Sequence, residues 1–112
     1  MLPKENRLTK NTDFQAVYKK GKFFGTKLIH FKYMKNGLPN TRVGFVVGTK
    51  VSKSAVKRNK IKRQIREVFR LKLDNIVKGY DIAVIVKPGA TEMEYEEIEK
   101  NIIWALGKIC LI

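Results

Sequence analysis

Residues 57–63 read KRNKIKR, and five of these seven side chains are basic. An arginine guanidinium pairs with phosphate oxygens through two parallel hydrogen bonds, and a lysine ammonium neutralises a phosphate backbone as a point charge. Asn59 both donates and accepts hydrogen bonds, so it can read a base, a 2′-hydroxyl or a hydrated metal ion. The chemistry of this segment is therefore the binding of a polyanion.

Groups for covalent or metal chemistry are sparse in the sequence. His30 is the only histidine and Cys110 is the only cysteine. The sequence therefore offers no intramolecular disulfide framework, no Cys-based zinc site, and no His pair or Cys–His constellation for metal or nucleophilic chemistry. Cys110 stands in the apolar terminus ICLI and is predicted to be a small buried hydrophobe.

The net charge is strongly positive and unevenly spread. The 112-residue chain carries +14, with a pI near 10.1. Such an excess costs stability through self-repulsion, so it indicates a polyanionic partner, either nucleic acid or an anionic membrane. Residues 92–112 hold five acidic and two basic residues, a net −3 that leaves +17 on residues 1–91. We expect the C-terminal helix to face away from the polyanion.

No segment predicts membrane insertion or export. No apolar run approaches the ~18 residues of a membrane span, and the N-terminus MLPKENR lacks the apolar core of a signal peptide. We expect a soluble, cytoplasmic protein. A chain of 112 residues has room for one hydrophobic core, so residues 1–112 are predicted to form a single domain.

Helix and strand signals along the chain predict an α/β (α+β) sandwich in the order αβββαβα, with one sheet of about four strands. KNTDFQAVYKKG carries helix punctuation, with a capping box of Thr12 and Gln15. Residues 22–34 look extended, and KNGLPNT is turn chemistry that predicts an antiparallel hairpin with RVGFVVG. The apolar run DIAVIV, residues 81–86, predicts a central strand covered on both faces.

The strand ending at Met34 and the last helix each have a predicted core side. Ile29 and Phe31 point toward the core, whereas His30 and Lys32 lie on a face too polar for core, which we interpret as a groove wall. The last helix is predicted to begin with a capping box of Thr91 and Glu94 and to bury an apolar stripe. Trp104 lies near that stripe and is predicted to be packing.

The basic run belongs to a helix predicted over residues 54–73. One side is apolar at helical spacing, beginning with Ile61 and Ile65, and anchors the helix to the sheet. Residues 57–72 hold eight basic side chains in lines of i, i+4 spacing against one acidic residue. Two lysines before the helix extend this surface toward its N-terminus, whose free N–H groups also attract phosphate. The predicted polyanion-binding residues are Lys50, Lys53, Arg58, Asn59, Lys60, Lys62, Arg63, Arg66 and Arg70.

Three other interpretations of the basic helix fit the sequence less well. A merely solvated face would interleave opposite charges, because like charges at i, i+4 destabilise a helix. A disordered import tag would not place isoleucines at helical spacing. A membrane-surface helix would need its apolar side for the bilayer, but that side is needed for the core. These arguments favour nucleic acid.

The stretch SAVKRNKIKRQIREVFR closely resembles the signature of the bacterial ribonuclease P protein family, in which Arg-Asn-basic-x-Lys-Arg-x-x-Arg follows a short AV-type lead. The resemblance extends over nearly the whole chain, through NRLTKNTDFQAVYKKG, RVGFVVGTKVSKSAV and GYDIAVIVKPGA. It implies a mixed sheet with a βαβ crossover. It also implies the protein subunit of a ribonucleoprotein endonuclease, a hydrolase that removes the 5′ leader from precursor tRNA. In that family the RNA subunit is the catalyst, and the protein improves substrate affinity and the use of Mg²⁺.

The resemblance also implies roles for individual residues. Arg58, Asn59, Lys60, Lys62, Arg63 and Arg66 fall on the signature helix, which faces the catalytic RNA. Phe14 and Tyr18 fall on the aromatic pair that lines the groove for the single-stranded leader, and i, i+4 spacing suits a stacking platform. Two residues depart from the pattern: Lys60 stands where arginine is usual, and Lys32 stands where some members have an aromatic. We therefore expect a more electrostatic leader groove, with His30 and Lys32 in it.

Three functions remain open, and the first of them is the one that the resemblance implies. The first is the RNA-binding subunit of a tRNA-processing ribonucleoprotein, with the ribonuclease P RNA and the precursor-tRNA leader as partners and with Mg²⁺ bound mainly by RNA. The second is a protein-only nuclease, which needs clustered carboxylates to hold Mg²⁺. The only acidic cluster is on the C-terminal helix, and the other candidates are scattered over different elements: Asp13, Asp74, Asp81 and Glu67. The third is a general ribosomal or nucleoid protein, which would not need Asn59 or the aromatic pair.

Overall fold

The computed structural model describes residues 2–112, in which three helices and four strands follow the predicted order αβββαβα. The helices are α1 (Asn11–Lys20), α2 (Ala55–Lys72) and α3 (Tyr95–Lys108). The strands are β1 (Lys22–Gly25), β2 (Ile29–Lys35), β3 (Arg42–Val46) and β4 (Tyr80–Val86). None of the helices formed by residues 2–112 is both long enough and apolar enough to cross a bilayer.

The four strands form one mixed sheet in the order β1-β2-β4-β3. β2 pairs antiparallel with both β1 and β4, and β3 pairs parallel with β4. The predicted hairpin between β2 and β3 is therefore wrong, because β4 lies between them. β4 is almost entirely apolar and buried, so it is most stable with a neighbour on each edge. Helix α2 provides the crossover from β3 to β4.

The sheet has helices on both faces. On one face, buried side chains such as Phe31 and Val84 share a core with the apolar stripes of α2 and α3. On the other face, α1 places Val17 against Ala83, and Leu8 from the N-terminal segment completes this smaller cluster. Helix α1 therefore packs on one face of the sheet, and α2 and α3 pack on the other.

Neither helix has the predicted capping box: that of α1 is absent, and that of α3 forms with other residues. Helix α1 begins at Asn11 after Lys10, whose backbone is extended, so Thr12 already lies inside the first turn and no side chain caps the helix. Before α3, a 3₁₀ turn at Ala90–Glu92 occupies the predicted start, and the capping box forms between Glu94 and Glu97 instead.

Two residues near the C-terminus are more exposed than predicted. Cys110 is exposed and has a φ of 62°, because it follows the end of α3 and turns the chain back toward the core. Trp104 leaves 55% of its surface exposed, although its ring lies 5.8 Å from that of Phe24 on β1. The apolar stripe of α3 passes beside Trp104 and is filled by Ile102, Ala105 and its neighbours.

A partly buried ion pair ties α1 to the sheet. Arg42 donates to Asp81 through Nε at 2.8 Å and Nη2 at 2.6 Å, and its Nη1 reaches Asp13 of α1 at 3.2 Å. Asn36 also donates to Asp81 at 2.9 Å, so this buried carboxylate is well satisfied. Hydrogen bonding to Asp81 is the largest cause that raises the pKa of Arg42. The network fixes the N-terminal turn of α1 over β3 and β4.

Candidate nucleic-acid interface

Helix α2 holds its basic side outward because its opposite side is buried. Ile61, Ile65, Val68 and Phe69 are each at most 2% exposed and pack in the main core. Ser54 caps the helix, its Oγ accepting a hydrogen bond from the backbone N–H of Lys57 at 3.3 Å. The cap and the apolar stripe confirm the predicted helix and set which side chains face solvent.

The predicted binding residues of α2 fall into two groups by their contacts. Asn59, Lys60, Lys62 and Arg63 make no side-chain hydrogen bond or ion pair with any residue of the described chain, 2–112, and all except Lys62 are exposed. Their donors are therefore directed to solvent and are available to a ligand.

The remaining arginines of α2 have partners within the protein. Arg58 donates from Nη1 to the carbonyl of Ser52 at 2.7 Å. Arg66 lies with its guanidinium carbon 5.6 Å from the centre of the Phe45 ring. Arg70 pairs with Glu67 through its Nη2 at 2.6 Å. These contacts position three of the predicted binding residues, and the pair with Glu67 neutralises part of the charge near the C-terminal end of α2.

The loop before α2 continues the positive surface. Lys50 and Lys53 are both exposed there. The loop is held to the helix by Arg58 at the Ser52 carbonyl and by Ser52 Oγ, which accepts a hydrogen bond from the backbone N–H of Ser54 at 3.1 Å. Arg58 therefore places a positive charge between α2 and the loop, and its hydrogen bond to Ser52 fixes the conformation of the loop that follows β3.

The predicted groove residues of α1 lie together on the opposite face of the sheet. The rings of Phe14 and Tyr18 are 6.1 Å apart, both half-buried beside Val17 and Ala83. Phe14 packs so closely on β3 that a side chain at Gly44 would collide with its ring. Burial raises the pKa of the Tyr18 hydroxyl, which stays protonated at neutral pH and can donate a hydrogen bond.

The groove residues of β2 lie beside this aromatic pair. Lys32 donates from Nζ to the backbone carbonyl of Tyr18 at 2.9 Å, so its charge is held where α1 meets the sheet. The ring of His30 meets that of Phe23 edge to face, with their centres 5.0 Å apart. Burial, and secondarily the charge of Lys87, lower the pKa of His30, so its imidazole is neutral at neutral pH.

A cleft of about 260 Å³ joins the two surfaces at the β3 edge of the sheet. Phe14 enters it from the α1 side, Lys62 and Arg66 enter it from α2, and Arg7 comes from the N-terminal segment. The backbone at Arg7 pairs with Val43 of β3, and the next N–H, that of Leu8, donates to the Val43 carbonyl at 3.0 Å. Basic and aromatic side chains therefore form a continuous surface around this edge.

Few acidic residues lie at this surface: Glu67 is paired with Arg70, and Glu92 lies near Lys57 and Lys60. Asp13 and Asp81 were predicted to be scattered, but the structure brings both to Arg42, and each forms a salt bridge with its guanidinium. Nowhere in residues 2–112 do three His, Cys, Asp or Glu side chains gather into a possible metal site. The free cations of α2 and the α1 groove are thus the features of the structure that suit a polyanion.

Sequence reasoning missed several side chains of this surface. Phe45 and Arg7 line the β3 cleft, and Phe23 is a second aromatic beside His30. The alternation of KFFG already places the two phenylalanines on opposite faces of β1. The missing information was that β1 pairs with β2 in a register that sets Phe23 beside Lys32.

Comparison with known proteins identifies relatives along almost the entire chain. The family model described as Ribonuclease P matches residues 2–110. The "Ribonuclease P protein component" of Alkaliphilus oremlandii is 41% identical over 107 residues, covering 96% of this chain and 93% of that protein. The protein of the same name from Clostridium botulinum strain Langeland is 40% identical over 106 residues, covering 94% of this chain and 95% of the relative.

Solved structures share the fold. A Staphylococcus aureus RNase P protein mutant with defective mRNA degradation activity superposes with a TM-score of 0.91 at 34% identity, covering 97% of this chain and 92% of the other. The RNase P protein from Thermotoga maritima gives a TM-score of 0.83 at 32% identity, over 91% of this chain and 96% of that one.

Proposed function

The chain belongs to the ribonuclease P protein family and is a protein component of that tRNA-processing ribonuclease, and we propose that it acts in the complex as an RNA-binding cofactor. In this proposal the RNA subunit carries out hydrolysis of the phosphodiester bond, which frees the 5′ leader and leaves the mature 5′ end of the tRNA. The observation that carries the proposal is the row of unpaired polar and basic side chains along α2, on a helix pinned by a buried stripe.

The basic side of α2 is proposed to contact the RNA subunit. Asn59, Lys60 and Arg63 are exposed and unpaired within residues 2–112, so phosphate binding breaks no internal contact there. Arg58 and Arg66 contribute from fixed positions, and Lys62 extends from α2 into the β3 cleft. Lys50 and Lys53 prolong the surface along the loop, and Arg70, shared with Glu67, contributes least. Phosphate contacts of this kind determine affinity and orientation.

The α1 side of the sheet is proposed to hold the single-stranded leader. Phe14 and Tyr18 provide rings on which unpaired bases stack, and stacking is tolerant of sequence because every base has a π face. Lys32 supplies a positive charge at the junction of α1 and β2. His30, neutral at neutral pH, contributes an aromatic ring rather than a charge.

Magnesium is proposed to be held mainly by the RNA. The described residues offer no cluster of three carboxylate, histidine or cysteine ligands, and the pair that does come together, Asp13 and Asp81, is bound to Arg42. The proposal therefore assigns no Mg²⁺ ligand to residues 2–112. The contribution of the protein is to neutralise phosphate charge and to position the leader.

Cleavage of precursor tRNA tests this function directly. Precursor tRNA is incubated at low Mg²⁺ with a bacterial ribonuclease P RNA, with and without this protein, and release of the 5′ leader is measured. We expect the protein to increase the cleavage rate several-fold or more at low Mg²⁺, and to lose this advantage as Mg²⁺ is raised, because added cations screen the same phosphates.

Two results would contradict the proposal. Cleavage by the protein without RNA would identify a protein nuclease, and absence of stimulation at any Mg²⁺ concentration would remove the cofactor role. A general nucleic-acid-binding protein is distinguished by substrate preference, since it would not favour leader-bearing precursor over mature tRNA.

A further inference from the structure

Phe23 is an exposed aromatic side chain on the edge strand of the sheet. It leaves 56% of its surface exposed, whereas its neighbour Phe24 packs against the main core. A large exposed aromatic ring next to a binding groove suits contact with a ligand rather than packing. Phe23 lies on β1 and is not one of the residues that pack around Phe14 and Tyr18.

The strand register puts Phe23 on the groove face of the sheet. Phe23 is the direct cross-strand partner of Lys32, and Gly25 is the partner of His30. Directly opposed residues of antiparallel strands have their side chains on the same face, about 5 Å apart. Lys32 in turn contacts the Tyr18 carbonyl. The groove face therefore continues from the α1 aromatics through Lys32 to Phe23.

The Phe23 ring is held in place by His30 and by the lack of a side chain at Gly25. The ring centres of Phe23 and His30 are 5.0 Å apart at 87°, an edge-to-face pair. A Cβ atom at Gly25 would lie 2.7 Å from His30 Cδ2 and 3.0 Å from Phe23 Cζ. Glycine at this position is what allows both rings to lie over the strand, so the exposed ring has a defined orientation.

The surroundings of this ring pair favour a polyanion over a protein surface of mixed charge. Residues 14–66 contain fifteen lysines and arginines and no aspartate or glutamate. Lys32 is the neighbour of Phe23 on one side, and the charge of Lys87 acts on His30. Aromatic rings interleaved with cations are the composition of a single-strand-binding surface.

We propose that Phe23, supported by His30, is a second base-stacking platform that binds a leader nucleotide upstream of the one held by Phe14 and Tyr18. This inference rests on the proposed function, since it assigns a further part of the leader path. It predicts that long leaders are bound more tightly than short ones, and that the gain comes from the edge strand β1.

The test measures the affinity of the assembled protein–RNA complex for precursor tRNAs whose leaders are lengthened one nucleotide at a time. With unsubstituted protein, affinity should rise with leader length and then level off. Phe23→Ala should remove about fivefold or more of the affinity for long leaders, the lower end of what stacking of one base contributes. The same variant should bind short-leader substrates and mature tRNA normally, whereas Tyr18→Ala should weaken binding of short leaders also.

Two variants control for general effects. Trp104→Ala removes an aromatic that is equally exposed, at 55% against 56% for Phe23, but it lies on α3 beside Phe24, on the opposite face of the sheet from the groove. This variant should leave every affinity unchanged. Phe23→Trp keeps an aromatic face and should retain the long-leader affinity. The fluorescent base 2-aminopurine at successive leader positions supplies a second readout, because its quenching at one upstream position should disappear in Phe23→Ala alone.

The possible failures are distinguishable. If unsubstituted protein gives no preference for leader-bearing over mature tRNA, the proposed leader function fails, and the platform with it. If that preference is present but Phe23→Ala matches the unsubstituted protein at every leader length, only the platform is overturned. Equal loss for leader-bearing and mature tRNA in Phe23→Ala would also overturn it.

Discussion

Helices α2 and α3 cover the same face of the same sheet and differ chiefly in charge. Each buries an apolar stripe in one shared core. Their solvent sides are opposite: residues 57–72 hold eight basic and one acidic residue, whereas residues 92–112 hold five acidic and two basic ones. The buried stripe is required by the fold, but the sign of the solvent charge is not. The fold therefore does not account for the charge of α2, and the proposed contact with RNA does.

The local contacts of the two helices support this distinction. Helix α3 places Glu94 and Glu97 at its N-terminus in a capping box, where negative charge stabilises the helix dipole. Helix α2 has no acidic residue in its first turn, and Lys57, Arg58 and Lys60 lie near the positive end of its dipole. This arrangement costs helix stability, so α2 retains it in spite of the local energetics.

The largest expected effect is on the free energy of unfolding, and it shows whether α2 and α3 are anchored equally to the core. Ile65→Ala on α2 and Ile102→Ala on α3 remove side chains that are each 0% exposed. Each should lower the free energy of unfolding by about 2–5 kcal/mol, from lost apolar burial and the cavity left behind. Urea unfolding in high salt, which screens self-repulsion, measures both values.

The matched control for these substitutions is Val56→Ala, because Val56 on α2 is 77% exposed. Its effect should stay within about 0.5 kcal/mol. A large loss for one isoleucine and none for the other would show that the helices are anchored unequally, and the comparison of their charges would lose its basis.

The next effect tests whether position or total charge governs RNA affinity. The double variant Lys60→Glu, Arg63→Glu on α2 and the double variant Lys100→Glu, Lys108→Glu on α3 change the net charge by the same amount, from +14 to +10. The α2 variant should lose about tenfold or more in affinity for ribonuclease P RNA, because phosphate contacts are replaced by repulsion. Its plot of log affinity against log salt should also become shallower.

The α3 variant should lose much less affinity, because its charges act on the RNA only from a distance and through screening solvent. Filter binding or fluorescence anisotropy across a salt series measures both affinities and slopes. Equal losses for the two variants would mean that net charge, and not the α2 surface, controls binding.

The sequence predicted the helices and their buried sides well, because helical periodicity is a local signal. Ile61, Ile65, Val68 and Phe69 stand at spacings that allow one helix face, and all four are buried. Strand pairing is not a local signal. The turn chemistry of KNGLPNT and the tendency of consecutive strands to pair predicted a β2–β3 hairpin. The apolar β4, far along the chain, takes that position instead.

Contacts between distant residues of the candidate site were also beyond prediction. Arg42 and Asp81 are 39 positions apart, and only the parallel register of β3 and β4 makes them partners. The attachment of Lys32 to the Tyr18 carbonyl depends in the same way on how α1 lies over β2. The sequence therefore indicated which residue types line the groove, but it did not indicate how α1 is attached to strand β2.

The smallest expected effect concerns the one acidic side chain on the basic side of α2. Glu67 pairs with Arg70 through two hydrogen bonds of 2.6 and 3.0 Å, which neutralises part of the positive charge at this end of α2. Hydrogen bonding from Arg70 lowers the pKa of Glu67, so the carboxylate stays ionised wherever RNA binding is measured, and only substitution removes its charge. Glu67→Gln should raise RNA affinity about two- to threefold at low salt, because Arg70 is freed for phosphate.

The gain from Glu67→Gln should vanish at high salt, where an exposed charge is screened. Arg70→Ala should correspondingly cost less affinity than Arg63→Ala, because Arg63 has no internal partner among residues 2–112 and Arg70 has one. These two comparisons use single substitutions on one helix, so differences in folding contribute little. If Glu67→Gln weakened RNA binding instead, the salt bridge would be orienting Arg70 toward the RNA. Glu67 would then contribute to RNA binding and would not oppose it.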